Sequence, residues 1–193
     1  MSGRTDLVAS LRRRDAVALR TVVDENARRL YRAARGMGFS NDRAEDLMQD
    51  VFVTFLHTLD RFEGRSAIST WLFGILHHKV QEQRRVAVRD EMSDPIDESF
   101  EARFDAAGNW IHPPVAPDRL AASAQMTEAL RGCLDDLPSL QREVFHLRQI
   151  EELPAADVSH VLGRSVTHVG VLFHRARLRL QQCLEKKGWS PAP

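Results

Sequence analysis

Cysteine is scarce in this chain, with two in 193 residues. Cys133 and Cys183 stand far apart, match no zinc-ligand spacing, and each precedes a leucine within an apolar helical pattern. They read as free thiols packed in helical cores, which suits a reducing compartment better than a redox sensor does. Net charge is also missing, since 27 basic side chains balance 27 acidic ones. That balance argues against a protein that coats nucleic acid without selectivity. No apolar run is long enough to span a membrane, and the first eleven residues lack the hydrophobic segment of a secretory signal. A soluble, cytoplasmic protein with no membrane insertion is expected.

What is present is 43% hydrophobic residues, enough for real cores in one domain or two small ones. The charge is unevenly spread. Residues 1–92 hold 16 Lys and Arg against 13 Asp and Glu, residues 93–125 hold 2 against 6, and residues 126–193 hold 9 against 8. In the acidic middle helical periodicity fades and Pro95, Pro113, Pro114 and Pro117 gather, so residues 91–124 read as a linker. Phe100, Phe104, Trp110 and Ile111 are poor choices for a solvated tether, and the FDAAGNWIHPP stretch is expected to dock on a domain or a partner.

Elsewhere the periodicity is helical. After a short helix over residues 7–11, residues 15–35 carry Leu19, Val22, Val23, Leu30, Tyr31 and Ala34 at helical intervals until Gly36 and Gly38 end the run. Residues 41–62 form the next element, with Ala44, Leu47, Met48, Val51, Phe55 and Phe62 inward. Its other face mixes Asp46, Gln49, Asp50, His57 and Asp60 with Phe52, Val53 and Leu56. Apolar residues on an acidic face read equally as a protein interface or as packing against a neighbouring helix.

The loop FEGRSAIS follows, and Ser69 or Thr70 is suited to cap the helix TWLFGILHHKVQEQRR. Leu72, Ile75, Leu76 and Val80 make its buried stripe. Trp71, Gly74, His77, His78, Gln81 and Arg85 line the far side, a set that suits stacking and phosphate contacts with a single strand. The alternative is a tryptophan partly buried at a helix start. A metal site from His77 and His78 with Asp46, Asp50 or Glu82 is disfavoured, because adjacent helix positions point about a quarter-turn apart.

After helical pattern over residues 124–134, LPSLQREVFHLRQIEEL places Leu140, Val144, Leu147 and Ile150 inward. It leads into LPAADVSHVLGRSVTHVGVLFHRARLRL, which reads as a helix-turn-helix. Pro154 suits a helix start, Gly163 a helix end, and Ser165 the cap of the second helix. Val169, Leu172, Phe173, Ala176 and Leu180 form that helix's buried stripe, with Thr167, Val171, His174 and Arg175 expected outward.

These stretches resemble a known family. RAEDLMQDVFVTFLHTLDRFEG with STWLFGILHHKVQEQRR looks like regions two of the extracytoplasmic-function (ECF) sigma factors, and LDDLPSLQREVFHLRQIEELPAADVSHVLGRSVTHVGVLFHRARLRLQQCLE is similar to their region four. The resemblance implies an all-α fold of two small helical domains. Residues 1–90 would be region 2, residues 91–124 the linker, residues 125–187 region 4 with the helix-turn-helix, and residues 188–193 a tail. It implies a subunit of bacterial RNA polymerase that directs promoter-specific initiation, with no catalytic residue, cofactor or metal of its own. Asp46, Gln49, Asp50, Val53 and Leu56 would meet the polymerase β′ clamp coiled coil, and region 4 the β flap. Phe62, Gly64, Arg65, Ser66, Trp71, His78 and Arg85 would hold single-stranded DNA at the −10 element, with Arg84 and Arg89 adding phosphate attraction. Arg164, Ser165, Thr167, His168, Val171, His174 and Arg175 would read duplex −35 DNA, and an anti-sigma partner would hold the chain inactive.

The chain departs from the family pattern at His78, where asparagine is frequent, at Glu82, where an aspartate is usual nearby, and at residues 168–172, where two common basic residues are missing. Gly170 would let the backbone approach closely, and Val171 would meet a thymine methyl. Two rivals are a freestanding helix-turn-helix regulator, which leaves the Phe52, Val53 and Leu56 row idle, and a metal hydrolase built on Asp46, Asp50, His77 and His78.

Overall fold

The computed structural model describes residues 2–87 and 124–189, which divide into two compact units, one carrying the N-terminal helices and the other most of the C-terminal ones. Among the described residues there is no strand. No described helix is long and apolar enough to cross a membrane.

The N-terminal unit consists of α1 (Ser2–Arg12), α2 (Ala16–Gly36), α3 (Asn41–Thr58), a 3₁₀ turn (Leu59–Arg61) and α4 (Ile68–Ala87). Local chemistry sets the boundaries. The Asp15 carboxylate accepts from the Ala18 amide at 2.8 Å to start α2, and Ser40 accepts from the Arg43 amide to start α3. α4 begins at Ile68, ahead of both Ser69 and Thr70, and Thr70 is already buried. α3 packs on both α2 and α4. Its inward stripe, Ala44, Leu47, Val51 and Phe55, meets a core that includes Leu30 of α2 and Leu72, Leu76 and Val80 of α4, all buried. Val23, expected inward on α2, is 40% exposed. On α4, His77 is buried, not outward as the periodicity implied.

The C-terminal unit contains α5 (Ala124–Asp135), α6 (Ser139–Phe145) continued by a π-helical turn (His146–Ile150), α7 (Ala155–Leu162) and α8 (Val166–Lys186). Arg142 closes the turn between α5 and α6 by donating to the carbonyls of Asp135 (2.6 Å) and Leu137 (3.2 Å). The π turn alters the expected register. An extra residue per turn rotates Ile150 out to 48% exposure and brings Glu151 inside, where its carboxylate lies 3.5 Å from His146 Nε2. Gln141 and Glu143 are buried on the same segment.

The largest departure concerns the cysteines. Cys133 on α5 and Cys183 on α8 form a disulfide, with Cα atoms 5.8 Å apart and a sequence separation of 50. The packing of α5 on α8 brings them together, a long-range proximity that their spacing could not reveal. The core-packing expectation holds beside the bond, since Cys133 is buried with Leu137, Ala176 and Leu180. Closing a loop of 50 residues removes unfolded-state entropy equivalent to about 4 kcal/mol. Reduction is therefore predicted to weaken amide hydrogen-exchange protection along α5 and α8 while leaving α2, α3 and α4 unchanged. Equal protection with and without reductant would show that the bond contributes nothing.

Candidate polymerase and nucleic-acid interfaces

α3 presents one fully exposed stripe. Asp46, Gln49, Asp50, Val53 and Leu56 all reach solvent, with Val53 at 53% and Leu56 at 38% exposure. Their spacing follows one helix face, opposite the stripe that holds the core. Arg43 pairs with Asp46 at 3.6 Å, and Lys79 of α4 reaches Asp50 at 3.8 Å. Both are surface pairs worth at most about 1 kcal/mol each, so the carboxylates stay available to a partner. Phe52 is half-buried and, with Phe55 and Leu56, lines a shallow apolar groove completed by Leu19, Val22 and Val23 of α2. The two readings of this face thus divide between residues: Phe52 and Leu56 border the groove against α2, and Val53 stands outside it.

The loop between the 3₁₀ turn and α4 leads to the second surface. Gly64 has φ +73°, a left-handed conformation that costs glycine no Cβ penalty. Arg65 is exposed and pairs with Glu63 at 2.9 Å, and Ser66 is half-buried. Trp71, Gly74, His78 and Gln81 follow at helical spacing along α4, all reaching the surface in whole or part. A Cβ built on Gly74 would meet nothing within 4 Å, so the floor between Trp71 and His78 is open.

Phe62 is not on this surface. It is 2% exposed and meets Trp71 edge to face, with ring centroids 5.5 Å apart. The indole Nε1–H of Trp71 is enclosed and meets no acceptor among the described residues, so packing on Phe62 orients the ring. Arg84 is likewise engaged, donating to the Met37 carbonyl at 3.1 Å and tying α4 to the end of α2. Arg85, Arg89 and the linker residues Phe100, Phe104, Trp110 and Ile111 fall outside the residues whose side chains are described.

The helix-turn-helix forms as its punctuation implies. Pro154 precedes α7, Gly163 ends it with φ 61° and ψ 34°, and the Ser165 hydroxyl accepts from the His168 amide at 3.1 Å to start α8. Arg148 secures the entry by donating to the Leu153 carbonyl at 2.7 Å while its guanidinium lies over the Phe173 ring. Burial lowers the pKa of that guanidinium from its ordinary value.

The face of α8 differs from expectation. Val171 and His174 are buried, and Val169, Gly170, Val171 and Leu172 are four consecutive buried residues. Four successive positions span a full helical turn, so α8 is enclosed on all sides at that level. Arg164 and Ser165 are exposed, and Thr167, His168 and Arg175 are half-buried, which moves the accessible surface to the N-terminal turn.

The Sigma-70 region 2 family model matches residues 22–89, and the Sigma-70, region 4 model matches residues 127–180. The RNA polymerase sigma factor YlaC of Bacillus subtilis is 30% identical over 147 residues, covering 75% of this chain and 79% of its own. The ECF RNA polymerase sigma factor ShbA of Streptomyces griseus is 34% identical over 146 residues, covering 74% and 72%. Among solved structures, the sigma factor RpoE in complex with the anti-sigma factor NepR from Bartonella quintana matches with TM-score 0.64 at 23% identity, over 86% of this chain and 96% of that one.

Two glycines of the N-terminal unit should respond to alanine with opposite signs. At Gly64 a Cβ would lie 3.2 Å from a Val8 methyl at positive φ, so Gly64→Ala is predicted to cost about 1–2 kcal/mol. Gly74 sits in open space inside a helix, so Gly74→Ala is predicted to stabilise by about 0.5–1 kcal/mol. Chemical unfolding of the two variants, measured side by side, checks both signs.

Proposed function

Because the chain belongs to the ECF RNA polymerase sigma factors, we propose that it attaches to core polymerase through the exposed stripe of α3 and opens promoters through the Gly64 loop and the Trp71 stripe of α4. The observation that carries this reading is the five-residue face of Asp46, Gln49, Asp50, Val53 and Leu56, every member exposed on a helix whose opposite stripe is fully committed to the core. Two large apolar side chains there gain from being covered, and the flanking carboxylates suit a basic partner. The β′ clamp coiled coil is the proposed partner, with the β flap meeting the C-terminal unit.

Strand opening requires no covalent chemistry. Unstacking a base costs a few kcal/mol, and an aromatic face that stacks it returns about 1–3 kcal/mol. Trp71 and His78 on either side of Gly74 supply that surface, Arg65 and Ser66 its polar rim, and Phe62 the support beneath Trp71. In the C-terminal unit, reading of the −35 duplex is assigned to Arg164, Ser165, Thr167, His168 and Arg175. Val171 and His174 take part only if they become accessible. No step calls for a catalytic side chain, cofactor or metal. The two family matches cover residues 22–89 and 127–180, in keeping with proposed domains of 1–90 and 125–187. An anti-sigma partner completes the proposal, in keeping with the complex in which the Bartonella relative was solved and with exposed Val17, Val23, Val53 and Leu56 on the N-terminal unit.

Transcription in vitro from host genomic fragments tests the whole reading. Discrete start sites are expected with core polymerase plus this chain and none with either alone, and tight sequence-specific DNA binding without polymerase would favour a freestanding regulator. Val53→Asp is predicted to weaken core-polymerase affinity by at least about tenfold, as for a central interface residue. Folding stability should change by under about 0.5 kcal/mol, because the site is exposed.

A further inference from the structure

We propose that α1, which precedes the matched region at residues 22–89, is a positioning element for the strand-holding loop, and that it acts through Arg12. The inference rests on the assignment of that loop to promoter opening and extends it to an element outside the family match.

Two contacts carry it, one on each side of Glu63. The Arg12 guanidinium donates from Nη2 to the Phe62 carbonyl at 2.9 Å, across 50 residues of sequence. A Val8 methyl lies where it would sit 3.2 Å from any Cβ on Gly64, so α1 and the loop backbone are in close approach there too. Leu11, completely buried, fixes α1 in the core between these two points. The neighbouring Arg13 turns back to Ser10 of α1, so of these two arginines it is Arg12 that reaches the loop.

The consequence reaches Trp71. The Phe62 amide donates to the Leu59 carbonyl at 3.0 Å and the Phe62 carbonyl accepts from Arg12, so both polar groups of that peptide backbone are held. The Phe62 ring then packs against Trp71, whose own indole N–H has no acceptor among the described residues to hold it. Arg12 therefore sets the stacking surface indirectly. A loop ordered before the DNA arrives loses less freedom on capturing a base, and capture is correspondingly tighter.

The test uses holoenzyme assembled from core polymerase and the full-length chain. The DNA is a promoter fragment mapped by the transcription assay, either fully duplex or premelted by a mismatched strand across the start site. Arg12→Ala is expected to slow open-complex formation on the duplex by about three- to tenfold, in line with loss of one charge-assisted hydrogen bond at a partly exposed site. The loss should be smaller on the premelted fragment, and core-polymerase affinity should stay unchanged. Arg12→Lys should recover part of the rate, because an ammonium still donates to the carbonyl. Val8→Ala, which trims the contact at Gly64 and leaves the Arg12 hydrogen bond, should slow opening by a smaller factor. Opening at the wild-type rate by Arg12→Ala overturns the positioning role alone. Equal losses on duplex and premelted DNA, tracking a fall in Tm in both variants, overturn it in favour of a merely structural helix. Failure of the wild-type holoenzyme to open any fragment overturns the underlying assignment, and this inference with it.

Discussion

The N-terminal unit depends on one constraint, the burial of a single stripe of α3 between α2 and α4. Ala44, Leu47, Val51 and Phe55 have almost no exposure, and truncating such a side chain as Leu47 to alanine costs roughly 2–5 kcal/mol. That commitment fixes the rotation of the helix about its axis. Once the inward stripe is set, Asp46, Gln49, Asp50 and Val53 turn to solvent, and Leu56 sits exposed at the rim of the groove against α2. The same packing carries α4 and therefore Trp71, so the surfaces proposed for attachment and for strand capture rest on one core. Lys79, reaching from α4 to Asp50, is a small direct link between the two surfaces.

The C-terminal unit solves a different problem. Its helices are short before α8, with α6 and α7 at seven and eight residues, too short to be stable alone. Three devices hold them: the disulfide joining α5 to α8, the Arg142 clamp over the first turn, and Arg148 bridging the π turn to the entry of the helix-turn-helix. Arg148 and Arg177 both lie over the ring of half-buried Phe173.

Much of this was legible in the amino-acid order because periodicity and punctuation are local. Gly163, Ser165 and Pro154 mark the helix-turn-helix, and the α3 and α4 stripes appear nearly as the 3.6-residue period requires. The failures have nonlocal or register causes. Cys133 and Cys183 meet only after the chain has folded back on itself. Ile150 is rotated outward by a π turn that a constant helical period cannot anticipate. Val171 and His174 look like an outward face when α8 is considered alone, and they are buried because α8 is covered on more than one side. Phe62 belongs to the inward stripe that periodicity gives residues 41–62, and its burial against Trp71 keeps it out of the strand-contacting set that the family resemblance implies. Arg12 carried no local signal, because its partner is a backbone carbonyl 50 residues away.

On the proposed function, one small helical unit presents two distinct surfaces, α3 for polymerase and the Trp71 stripe of α4 for a single DNA strand. Site-specific photo-crosslinking in the promoter-bound holoenzyme tests it most directly, with a photoreactive side chain placed in turn at Val53 and at His78. A crosslink is expected from position 53 to the β′ subunit and from position 78 to the non-template strand. Crosslinking of both positions to the same partner, or of position 53 to DNA, would contradict it.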